Sequence, residues 1–143
     1  MKIENRKARH DYFVEDTYIS GIVLTGTEIK SIRLGNASLV DTFCTVKNCE
    51  VWMHNSYIAK FEYGSYNNHD ERRLRKLLLS KREIEKIYKK VQQKGYTIVP
   101  LKMFINDKGL CKVELGICVG KKEYDKRETI KERDLSREMQ RYK

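Results

Sequence analysis

Two alternating segments near the end of the chain limit its architecture more than any other feature. In "YTIVPLKMFI", Tyr96 to Ile105, the apolar residues Val99, Leu101, Met103 and Ile105 fall on one side of an extended backbone. In "CKVELGICV", Cys111 to Val119, the residues Cys111, Val113, Leu115, Ile117 and Val119 share one face, while Lys112 and Glu114 point the other way. "NDKG", Asn106 to Gly109, has the residues of a tight turn. The period of two predicts an antiparallel hairpin with one buried face. Pro100 lacks a backbone N–H, so imperfect pairing is expected there.

The remaining elements are shorter. "YISGIVLTG", Tyr18 to Gly26, is apolar and β-branched and reads as a strand. "GTEIKSIRLG" reads as a short helix capped by Thr27, with Ile29 and Ile32 inward, Lys30 and Arg33 on a neighbouring face, and Gly35 as the stop. "ASLVDTFCTV" and "CEVWMHNSYIA" form a second hairpin about Lys47 and Asn48. "KFEYGSYNNHDERR" has no periodicity and reads as a loop. Leu77, Leu78 and Leu79 form a strand in which Leu78, opposite in parity to its neighbours, faces outward.

The clearest helix is Ser80 to Lys94. Ser80 and Glu83 match a capping box, Ile84, Ile87, Tyr88 and Val91 make one apolar stripe, and Gly95 ends it. About six short strands with one late helix favour a mainly β, OB-type antiparallel barrel. Residues 1–120 are read as the barrel and 121–143 as a basic tail. Leu135, Met139 and Tyr142 give that tail only a narrow helical stripe, too little to order it alone.

Charge then narrows the function. The 143 residues carry 30 Lys and Arg against 20 Asp and Glu, a net +10, which points to a polyanionic partner. No apolar run approaches the roughly 20 residues of a membrane span. "MKIENRKARHDYF" lacks an apolar signal core, so a cytoplasmic protein is expected. The four cysteines form no C-x2-C pair and have no histidine at ligand spacing, so they read as free thiols packed as small hydrophobes, with no metal and no cofactor. Hydrolase elbows, Walker loops, zinc helices and dinucleotide fingerprints are all missing. His69 beside Asp70 can be drawn as an acid–base pair, but in a polar loop it reads as a turn or solvated surface.

Basic residues interleaved with aromatics favour RNA. In "NRKARHDYF", Arg6, Lys7, Arg9 and His10 lead into Tyr12 and Phe13, a mixture suited to phosphates and exposed bases. "ERRLRKLLLSKR" adds Arg72, Arg73, Arg75 and Lys76.

Five blocks in order, "NRKARHDYFVEDTY", "GIVLTGTEIKSIR", "RKLLLSKREIEKIY", "CKVELGICVGKK" and "DKRETIKERD", resemble the SmpB (SsrA-binding protein) family over nearly the whole chain. The resemblance implies a monomeric OB-type adaptor for trans-translation. Its barrel would hold the tRNA-like part of transfer-messenger RNA (tmRNA), promoting alanylation by alanyl-tRNA synthetase and delivery with EF-Tu. Its tail would enter the ribosomal decoding region and empty mRNA channel. By matching position, the RNA contacts implied are Asn5, Lys7, Arg9, Tyr12, Glu28, Lys30, Arg33, Arg75, Lys76, Leu78, Lys112, Lys121 and Lys122, with the alternative that Glu28, a carboxylate unable to pair with phosphate, positions a neighbouring base or Lys. Asp125, Lys126 and Arg127 match the decoding-region signature, and Tyr124 just before them is implied as part of the same tail site. Ile19 stands where the family usually has an acid, and Tyr124 where many members have His. The other readings are a different small OB-type ribosomal or RNA chaperone protein and, outside that class, an RNA-processing enzyme.

Overall fold

The computed structural model describes residues 2–62 and 68–121. In chain order its elements are β1 Lys2–Glu4, α1 Arg6–Asp11, β2 Tyr12–Ile22, α2 Gly26–Arg33, β3 Ala37–Ser38 and β4 Phe43–Lys47. There follow β5 Glu50–His54, β6 Tyr57–Ile58, β7 Arg75–Leu78, α3 Lys81–Val91, β8 Tyr96–Ile105 and β9 Cys111–Gly120. The main sheet runs β1-β8-β4-β5-β7-β2-β9, and β9 pairs again with β8, which closes a ring of six antiparallel strands. These six are the strands expected from the sequence. Strand β1 is an addition of three residues, while β3 and β6 are the outer ends of the expected second hairpin, split off from β4 and β5 to pair with each other.

Closure depends on β8 pairing along both edges. Its Lys102–Phe104 half meets β1, Ile98 meets Cys44 of β4, and its opposite edge meets β9 from Tyr96 to Ile105. One bulge changes the expected burial pattern. Pro100 lies opposite Leu115 and Lys102 opposite Glu114, so Leu101 is an extra residue. Val99 and Leu101 therefore pack with Ala8 and Cys118 in a small outer cluster, whereas Ile98 and Met103 enter the barrel core. The single inward face expected for Val99 through Ile105 is thus corrected: the residue inserted beside Pro100 reverses the parity.

Three other boundaries move for local reasons. Strand β2 starts at Tyr12, because pairing with β9 holds the polar Glu15–Thr17 stretch extended, with a register shift between Val14 and Asp16. The cap of α2 is Thr25 rather than Thr27. Its hydroxyl accepts from the Glu28 N–H at 3.4 Å, and Glu28 Oε1 accepts from the Thr25 N–H at 2.8 Å. The β4–β5 turn is Asn48–Cys49, one residue later than expected, with φ of 54° and 61°. Two positive φ values in a two-residue turn match the strands' right-handed twist.

Helix α3 keeps its Ser80–Glu83 capping box and lays Ile87 into the core. Tyr88 does not join that stripe; it is about half exposed above Val46 and Cys49. Cys44, Cys111 and Cys118 pack as small hydrophobes, but Cys49 is exposed in the turn, where no core surrounds it. Burial pushes the Cys111 and Cys118 thiols up to about 11 and makes them poor nucleophiles. Among the described residues no helix is long and apolar enough to cross a membrane.

Candidate nucleic-acid interface

The site is built around one buried carboxylate. Glu28, in the first turn of α2, has no exposed side-chain surface. Arg73 grips it in fork geometry, Nη2 donating to Oε1 at 2.6 Å and Nε to Oε2 at 3.1 Å. Arg75 donates from Nε to Oε2 at 2.8 Å. Burial opposes the negative charge, yet the hydrogen bonds from Arg73, the Thr25 N–H and Arg75 overcome it and hold the carboxyl down at about 2. Arg75 is itself fully buried, its remaining N–H groups donating to the Ser56 carbonyl and hydroxyl and to the Asp70 and Glu71 carbonyls. The network pins α2, β7 and the loop before β7 together.

Direct RNA contact by Arg75 is therefore corrected, and Glu28 takes the positioning role of its alternative reading, holding arginines rather than meeting RNA. Their charges neutralise one another inside the fold, and neither offers an atom to a phosphate. What they position is exposed. Lys30 and Arg33 project from α2, and Lys30 Nζ lies 5.4 Å from the Phe61 ring centre. Leu78 is 49% exposed at the end of β7, as its parity predicted. It stands opposite Gly21, which on its other side stands opposite Lys112 of β9. Arg33, Leu78, Gly21, Lys112 and Leu110 line one open cavity of about 310 Å³. Residues about 80 positions apart in sequence thus give cations flanking an apolar floor, suited to phosphates beside a sugar or base face.

Other expected contacts lie around this cavity or beyond it. Lys76 sits on the outer face of β7, paired with Glu50 at 2.5 Å. In the N-terminal block, Lys7 and Arg9 are exposed on α1, paired with Asp41 at 3.1 Å and Glu114 at 3.6 Å. Tyr12 is half-buried at the helix end, and Lys121 Nζ is 5.3 Å from the Phe13 ring centre. Asn5 is buried: its Nδ2 donates to the Leu39 and Pro100 carbonyls, and its Oδ1 accepts from the Ala8 N–H as the cap of α1. Its expected RNA contact is likewise corrected to a scaffold role, because its side-chain amide is committed to the chain itself. Lys122, Tyr124, Asp125, Lys126 and Arg127 lie outside the described residues.

Two participants carry no local signal: in the sequence Arg73 is one member of a basic cluster and Gly21 one residue of a strand. His69 is not solvated either. Its Nε2–H donates to the Ile58 carbonyl at 2.9 Å and Nδ1 accepts from the Thr27 hydroxyl at 2.8 Å, so both ring nitrogens are committed. Among the described residues no group of three or more His, Cys, Asp or Glu is placed to hold a metal.

The sequence pattern of the family described as "SmpB protein" matches residues 2–143. The chain belongs to the SmpB family. Among its relatives in that family, the SsrA-binding protein of Parabacteroides distasonis is 60% identical over 141 residues, covering 99% of this chain and 92% of the relative. The SsrA-binding protein of Flavobacterium johnsoniae is 52% identical over 143 residues, covering 100% of this chain and 95% of the relative. A solved structure described as "tmRNA-SmpB: a journey to the center of the bacterial ribosome" contains a chain similar to this one. That chain matches with TM-score 0.72 and 49% identity, over 84% of each chain.

Proposed function

We propose that this chain is a non-enzymatic adaptor of trans-translation that binds the tRNA-like part of tmRNA through its barrel. The observation that carries the reading is the cavity between α2, β7 and β9, where Arg33 and Lys112 flank the exposed Leu78. A cation pair beside an apolar floor suits the backbone and an exposed base of folded RNA better than the uniform basic surface of a nonspecific binder. Family membership and the SsrA-binding relatives support tmRNA as that RNA.

Barrel-bound tmRNA would be the form presented to alanyl-tRNA synthetase and EF-Tu, both reached through the RNA rather than by direct contact. The chain acts as a cytoplasmic monomer. Lys121 and Lys122 add phosphate contacts to the bound RNA, and residues 121–143, with Tyr124, Asp125, Lys126 and Arg127 foremost, enter the decoding region and empty mRNA channel of a stalled ribosome. An rRNA-lined channel favours a peptide rich in Lys and Arg.

Ending the chain after Gly120 tests the division of labour. The shortened protein should keep binding tmRNA through the barrel, weakened only by the loss of Lys121 and Lys122, yet fail to support tagging of peptides on ribosomes stalled at a message end. Tagging at full rate by the shortened protein would remove the tail from the mechanism.

A further inference from the structure

A second cavity, of about 220 Å³, lies between α1 and the start of β4, on other residues than the one lined by Leu78 and Lys112. Phe43 and Tyr12 contribute aromatic surface to it, and Lys7, Asp11 and Asp41 supply charge. Phe43 is 46% exposed. It is backed by His54, its cross-strand partner, with ring centres 4.8 Å apart and planes within 1°. His54 is steadied in turn, because its Nε2 is 2.9 Å from the Thr45 hydroxyl. A hydrophobic ring exposed on a protein surface and already stacked on one face is a preformed platform for one more flat group.

The rim chemistry indicates which flat group. Asp41 is held at φ 59°, and the Asn55 amide donates to its backbone carbonyl at 3.1 Å, so its position is fixed while its side chain stays 66% exposed. A carboxylate accepts hydrogen bonds from the exocyclic amino group of cytosine or adenine, whereas the carbonyl that uracil presents in that place repels it. Lys7, 3.1 Å from Asp41, is within reach of the phosphate attached to such a base.

We infer that this cavity receives one unpaired RNA base carrying an exocyclic amino group, stacked on Phe43 and read by Asp41. The inference rests on the RNA-binding reading above and adds to it a second contact point with base preference.

The test measures binding of the full chain to labelled hexamers of cytidine and of uridine, and to tmRNA, by fluorescence anisotropy at fixed salt. The wild-type chain should prefer the cytidine hexamer several-fold. Phe43→Leu should weaken that binding roughly 5–100-fold, the range of one lost base–aromatic stack. Asp41→Asn, which tolerates the same positive φ, should remove the cytidine preference without weakening uridine binding. Circular dichroism checks that both variants stay folded. Equal binding of the two hexamers by the wild-type chain, or a folded Phe43→Leu that binds like wild type, overturns the inference while selective tmRNA binding leaves the broader reading intact. Failure of the wild-type chain to bind tmRNA selectively would overturn both.

Discussion

Leu78 on β7 and Lys112 on β9 lie in one cross-strand row, separated only by Gly21 on β2. The gap between them exists because Gly21 has no side chain. A Cβ placed there would come within 3.3 Å of Leu78 Cβ, closer than packed side chains ordinarily approach. The row therefore exposes backbone between an apolar and a cationic group, and the cavity shared with Arg33 opens at that point.

Filling the gap should damage binding more than folding. Gly21→Val puts branched bulk against Leu78 and into the cavity. Affinity for tmRNA is expected to fall about tenfold, close to 1.4 kcal/mol, with a melting temperature within a few degrees of wild type. Gel shifts and thermal melts on the same preparation check both halves.

Removing the cation should have a different signature. Lys112→Ala should weaken tmRNA binding and make log affinity against log salt shallower by about one phosphate contact. A titration series from low to moderate salt measures the slope. An unchanged slope would take Lys112 off the RNA face.

Glu28 makes a prediction about stability and pH. Its folded carboxyl sits at about 2, below the ordinary 4.5, so the charged form is the one the fold favours. The stabilisation is complete above pH 4.5 and is lost as pH falls from there toward 2. Glu28→Gln leaves two arginines without their counter-charge, and should cost roughly 3–5 kcal/mol at neutral pH. The difference between wild type and variant should then shrink as pH drops through that window. Urea denaturation at a series of pH values measures it; a difference that stays constant down to pH 2 would contradict the ion network.

The sequence exposes some parts of this design and hides others, for physical reasons. Strand alternation reveals the outward parity of Lys112 and Leu78, because side chains two apart share a face whatever the partner strand. The Ser80–Glu83 capping box is equally local and legible. The bulge at Leu101 is not, since it is created by pairing with β9 and reverses a pattern that looks regular in one strand. Burial of Arg75 and Asn5 is hidden for the same reason. Both are polar residues in basic stretches, and what draws them inside is a distant partner: Glu28 for one, the Leu39 and Pro100 carbonyls for the other. The role of Gly21 appears only once three strands are laid side by side.

The central claim is selective recognition of tmRNA by the barrel, and competition between two RNAs measures it most directly. Labelled tmRNA bound to the full chain is challenged with unlabelled tmRNA or with bulk tRNA in a gel shift at physiological salt. Unlabelled tmRNA should displace the label at concentrations at least tenfold below those of tRNA, and Gly21→Val should lose most of that margin. Equal displacement by the two RNAs would contradict the account and leave only a general RNA-binding barrel.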